Sequence, residues 1–106
     1  MIARIWKCIA SPENVPHYIE HFEQSVFPEL TQLAGFQKAT ILQQNLADDV
    51  ELTVITFWDS MDAVRRFAGD NAKVAVVAPA AEAVLRSFDK SVTHCEVLLD
   101  SEQNIP

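Results

Sequence analysis

Four side chains in this sequence could act together on one small molecule: Arg4, Trp6, Trp58 and His94. Two indoles offer flat faces for stacking, and a guanidinium adds a cation with parallel N–H donors. A neutral imidazole can take a phenolic proton, leaving an electron-rich anion that reacts directly with dioxygen. The bland alternative is structural: both indoles fill a core, Arg4 runs its stem along it, and His94 bonds a backbone carbonyl or a partner chain. On this reading Trp58, Trp6 and Arg4 bind the ligand and His94 is the candidate catalytic base.

A second pattern is His17-Tyr18-Ile19-Glu20-His21, which matches the H-x-x-E-H arrangement of some zinc proteases. Two histidines at i and i+4 can share one metal, but a catalytic zinc also needs a third ligand and a large substrate chamber. A chain of 106 residues is short for that. The expectation is an exposed or dimer-edge histidine pair and no metal site. Cys8 and Cys95 are expected to be reduced, small apolar side chains.

The elements that must position these residues follow from spacing. Residues 2–9 mix β-branched and aromatic types and stop at Ser11-Pro12, which reads as a strand. Val15, Tyr18, Ile19, Phe22, Val26, Leu30 and Leu33 recur every three or four residues, the stripe of an amphipathic helix kinked or split by Pro28 and ended by Gly35. Residues 36–44 and 51–58 read as strands joined by a turn at 45–50, and Asp59-Ser60 caps a helix over 61–68. A short helical turn is expected at 72–77, a helix at 80–88 and a last strand at 92–99.

The order β-α-β-β-α-β is the split βαβ pattern of an α+β, ferredoxin-like fold, with an antiparallel sheet ordered 4-1-3-2 and both helices on one face. In that order the end of the first strand lies beside the start of the last, so Cys8 and Cys95 are candidate cross-strand neighbours. Leu52, Val54 and Trp58 point to one face and Ile55 and Phe57 to the other. A sheet apolar on both sides must be covered twice, which argues for a homodimer. Residues 1–100 make one domain, and 101–106 read as a flexible tail.

Composition narrows the function classes. With 8 basic and 15 acidic residues and no basic run, nucleic acid and anionic membranes are poor partners. No stretch approaches the ~20 apolar residues of a membrane helix, and the first ten residues, interrupted by Arg4 and Lys7, do not read as a signal peptide. A cytoplasmic protein is the expectation.

Gly35-Phe36 leading into a strand, then Phe57-Trp58-Asp59-Ser60 with Ala63 and Phe67, then His94-Cys95-Glu96-Val97, resembles the antibiotic biosynthesis monooxygenase (ABM) family across about residues 2–99. The resemblance implies a dimeric α/β barrel with a separate pocket in each subunit between sheet and helices. Some members oxygenate polycyclic aromatic molecules without metal or flavin, and others bind and cleave haem. It also implies that Trp58 is a pocket residue. The oxygenases pair that Trp with an Asn, where this chain offers Val54 and Thr56. Haem degraders carry an Asn on the first strand, near Trp6 here, and an iron-ligating His on the second helix, whereas no His occurs in 59–93. The expected function is a cofactor-independent monooxygenase acting on an aromatic or quinol-like small molecule; the alternative is a non-catalytic dimeric small-molecule-binding or stress-response protein.

Overall fold

The computed structural model describes residues 1–102. Strand β1 (Ile2–Ala10) lies at the centre of an antiparallel sheet, paired on one side with β3 (Val50–Trp58). On the other side it pairs with two short segments, β4 (Ser87–Phe88) and β5 (Thr93–Glu96). Strand β2 (Phe36–Asn45) completes the sheet beyond β3. The order β2-β3-β1-β4/β5 is that of a ferredoxin-like α+β fold.

The buried alternation of β3 explains its place. Val50, Leu52, Val54, Thr56 and Trp58 are buried under the helices, while the residues between them are half-buried on the other face. Pairing Arg4 with Thr56, Trp6 with Val54 and Cys8 with Leu52 sets the cation and one indole on the helix face, as two-residue alternation requires.

The first helical segment answers to its prolines. Pro12–Asn14 form a 3-10 turn leading into α1 (Val15–His21), which continues through a π-helical turn at Phe22–Val26 into α2 (Phe27–Thr31). Pro28 has no N–H to donate, and the helix absorbs this by a wider turn in which the Phe27 N–H reaches the Phe22 carbonyl. The helix is therefore neither ended nor split. Tyr18, Phe22 and Leu30 form its buried stripe.

Gly35 turns the chain into β2 with φ +92°, and its carbonyl accepts from the Asp59 N–H at 2.8 Å. A Cβ there would stand 2.5 Å from the Ala63 Cβ on α3 (Met61–Ala68), so only glycine lets strand and helix meet so closely. Gly69, φ +83°, has nothing within 4 Å of a built Cβ. Gly35→Ala is thus expected to lower stability by about 2–3 kcal/mol and Gly69→Ala by less, read as the difference in melting temperature.

The second half departs from expectation. Of residues 72–77 only Ala72 and Lys73 form a turn, closed by the Val74 N–H on the Asn71 carbonyl; Val74 is then bridged to Ser91, with the Ala75 N–H on the Lys90 carbonyl and the Val92 N–H on the Lys73 carbonyl. The helix expected at 80–88 shrinks to one turn, α4 (Pro79–Glu82), because Ser87 and Phe88 already pair with Ile9 and Cys8. The last strand therefore begins earlier than 92, is interrupted at 89–92, and ends at Glu96 rather than Leu99. Cys95 pairs with Ala3 and is exposed, whereas Cys8 is buried opposite Leu52, so the two cysteines are not neighbours. Lys38 bonds Asp100 at 3.2 Å, and of the expected tail residues 101–102 form a turn while 103–106 lie outside the described residues. Among the described residues no helix is long and apolar enough to cross a membrane.

Candidate functional site

A cavity of about 70 Å³ lies between the helix face of the sheet and the helical layer. Arg4 and Trp6 of β1, Val54 and Thr56 of β3 and Tyr18, His21 and Phe22 of the first helical segment form its floor and one wall. Phe67 and the stretch from Val76 to Ala81 close it. That volume is under half of the roughly 150 Å³ that admits benzene in a packed core, so a ring can enter only if part of the lining moves.

Arg4 ties down the chain that leads into this stretch, at Ala72 and Val74. Only 5% exposed, its Nη1 donates to the Ala72 carbonyl at 2.5 Å and its Nη2 to the Val74 carbonyl at 3.0 Å. Its guanidinium carbon also lies 5.7 Å from the centre of the Phe67 ring. Burial pulls its pKa below the ordinary arginine value. The residue expected to clamp a ligand is first a latch on the chain above the cavity.

His94 sits opposite Arg4 in the β1–β5 register, which settles the face that alternation had left open: it joins Arg4 on the helix side. Its Nε2 lies 3.0 Å from Arg4 Nη1. Arginine can only donate, so Nε2 is the acceptor and the neutral imidazole carries its proton on Nδ1. Burial first, then the positive charges of Arg4, Arg65 and Lys73, lower its pKa below 6.5. His94 is not among the residues lining the cavity. In the unfolded chain the imidazole protonates near pH 6.5, and in the fold only at lower pH. Its contribution to stability is therefore complete above about pH 6.5 and lost as pH falls through the lowered folded value. Melting temperatures between pH 7 and 5 should show that slope, and His94→Gln should flatten it.

The two tryptophans divide. Trp6 lines the cavity, between Tyr18 (ring centres 6.3 Å apart) and Phe88 (6.2 Å), and its Nε1 donates to the Asp89 carbonyl at 2.7 Å. That bond gives a reason for the interruption at 89–92, where the backbone leaves the sheet edge. Trp58, with 0% exposure, is core: it stacks on Phe67 at 5.5 Å, meets the Phe36 edge at 5.3 Å and donates to Thr56 Oγ1 at 2.9 Å. It lies behind the cavity wall and does not line it.

The residues that spacing alone did not bring to the site are Tyr18, His21, Phe22 and Phe67. Tyr18 is 4% exposed, and burial, with Cys8 behind it, pushes its phenol well above the ordinary value, so it stays a neutral O–H. Burial, then Asp89 and Glu51, likewise pushes the Cys8 thiol up to about 12, which removes it as a nucleophile. The zinc pattern comes apart on the helix: His17 and Glu20 are exposed, His21 lines the cavity, and no cluster of three metal-ligating residues exists among those described.

Comparison with known proteins agrees with this architecture. Residues 1–78 match the family model of the antibiotic biosynthesis monooxygenases, and no curated protein matches the chain in sequence. Among solved structures, a Bacillus cereus protein described as an antibiotic biosynthesis monooxygenase is similar over 94% of this chain and 93% of its own, at 15% identity and a TM-score of 0.65. The haem degrader MhuD from Mycobacterium tuberculosis, solved with two haems in its active site, covers 94% and 98% at 21% identity and a TM-score of 0.61. SnoaB, a cofactor-independent oxygenase from Streptomyces nogalater, covers 94% and 96% at 14% identity and a TM-score of 0.57. With residues 1–78, more than half of its length, matched to the family model, the chain belongs to the antibiotic biosynthesis monooxygenase family.

Proposed function

We propose that this protein is a cytoplasmic, homodimeric, cofactor-independent monooxygenase acting on a small aromatic or quinol-like molecule. The observation that carries the reading is the cavity itself: an apolar, aromatic chamber with Arg4, Thr56, Tyr18 and His21 as its few polar side chains. In such a reaction the substrate loses a proton, and its electron-rich anion reduces dioxygen. One oxygen atom enters the ring system, and the other leaves as water with two hydrogens from the substrate. What supports a cofactor-independent reading is that no histidine occurs in 59–93 and that His94 Nε2 is taken by Arg4.

Within this reading Arg4, Trp6 and Phe67 shape the chamber, Trp58 backs its wall, and His94 keeps Arg4 in place. Oxygen consumption with a panel of small hydroquinones tests it. Uptake above the buffer rate that falls at least tenfold in Ala81→Phe, which fills the chamber, is expected; no uptake with any member would sink the oxygenase reading. A binding protein on the same scaffold is the second reading. What favours it is that Arg4, His94 and Trp6 already bond one another or the backbone, and Thr56 accepts from Trp58. Ligand binding without oxygen consumption would select it.

The proposed dimer rests on the far side of the sheet. Ile5, Ile9, Ile55 and Phe57 lie there half-covered, Leu42 is 51% exposed, and Leu98 is 92% exposed just past β5. A second copy would bury this surface. Ile55→Asp should turn a dimer into a monomer by sedimentation; a wild-type monomer would contradict the proposal.

A further inference from the structure

We propose that His21 is the acceptor for an acidic hydroxyl of the ligand, and that the ligand is therefore a small phenol or hydroquinone; this rests on the cavity reading above. The first observation is that His21 lines the cavity while its Nε2 is enclosed and has no hydrogen-bond partner among the described residues. A neutral imidazole carries one donor and one acceptor nitrogen, and burying either without a partner is unfavourable, so an unpaired one calls for a reason.

The rest of the lining supplies the second observation, because its other polar groups have an assigned partner or state. Thr56 Oγ1 accepts from Trp58, and Trp6 donates to Asp89. Tyr18 remains a neutral phenol. Of the five N–H bonds of Arg4, three are taken by Ala72, Val74 and His94. The titratable groups facing the chamber are Arg4 from β1 and Tyr18 and His21 from α1; β3 and the 76–81 stretch present none. His21 is thus the base that lines the chamber, and His94, the candidate read from its place on a predicted strand beside Arg4 and Trp6, does not line it.

Helix geometry explains how the sequence pattern concealed this. Tyr18, His21 and Phe22 stand three and four residues apart and share the inward face, whereas His17 and Glu20 turn to solvent. The π turn begins at Phe22, directly after His21. A ring entering the chamber packs against Trp6, Phe22 and Phe67 and brings its hydroxyl to His21. The O–H bond breaks, the proton moves to the imidazole, and the electron pair stays on the phenolate oxygen. The imidazolium and the Arg4 guanidinium offset that charge.

The test is a titration of 4-nitrophenol bound to the full chain, followed by its phenolate absorbance. The bound probe is expected to show the phenolate band at least one pH unit below the free probe. His21→Gln should remove that shift while still binding, and His17→Gln should leave it unchanged. Binding with the shift retained in His21→Gln would overturn the assignment of His21 and leave the cavity reading standing. No binding to the wild type would overturn both. Should His21→Gln fail to fold, the ring resonances of His21 in the unaltered chain answer the same question: the probe must convert them to the imidazolium form near neutral pH, and unmoved resonances would refute the proposal.

Discussion

Trp58→Ala is expected to cost about 3–5 kcal/mol, a large share of the roughly 5–15 kcal/mol that holds an ordinary domain folded. The indole has no exposed surface, touches Phe36 and Phe67 with its ring, and gives its N–H to Thr56. Removing it opens a large void and strips Thr56 of its donor together. Trp58→Phe keeps part of the volume and should cost less. Denaturant unfolding measures both. A loss below about 1 kcal/mol for Trp58→Ala would mean that the wall behind the cavity repacks freely. Lost activity in such a variant would report unfolding and not a missing ligand contact, so Trp6 is the better indole to probe for binding.

Arg4→Ala is expected to cost about 2–4 kcal/mol and to release the chain over the cavity. Without the guanidinium, the Ala72 and Val74 carbonyls and His94 Nε2 lose their donor at once. Arg4→Lys restores charge but not the planar fork that reaches three acceptors, so it should recover only part of the loss. Hydrogen exchange resolves the effect locally: the Ala75 and Val92 amides, which tie the segment to Lys90 and Lys73, should exchange faster, while those of the β1–β3 ladder should change only with global stability. Uniform acceleration across the sheet would show that Arg4 supports the whole fold and not the segment in particular.

The first 69 residues could be read from spacing because each local signal agreed with the next. Period-two runs gave β1, β2 and β3, the three-and-four stripe gave the first helix, and Ser60 and Gly69 bracket α3 as a cap and a stop should. Beyond Gly69 the Ala- and Val-rich stretch carries no such punctuation. Ala80–Leu85 has helix-forming composition, but pairing of Phe88 with Cys8 decides where the chain must return to the sheet, and that contact is invisible locally. β5 falls within the strand expected at 92–99, whereas β4 was hidden inside the helix expected at 80–88 for the same reason.

The site was legible in part. Two-residue alternation sets Arg4 and Trp6 on the helix face, and their partners in β3 follow from it. The face of His94 needed the β1–β5 register, which no periodicity reveals. Trp58 looked like a ligand contact because of its type and family likeness, yet Phe67 covers it. His21 drew notice only through a zinc pattern, although its position three residues after Tyr18 already set it on the inward stripe.

The central claim is that the chamber beneath the 76–81 stretch receives a small phenolic ring. Hydrogen exchange on the full chain, with and without saturating hydroquinone, tests it most directly. Slower exchange confined to residues 72–81 and 18–26 is the predicted result. Unchanged exchange there, or protection appearing on the outer face of the sheet instead, would contradict it.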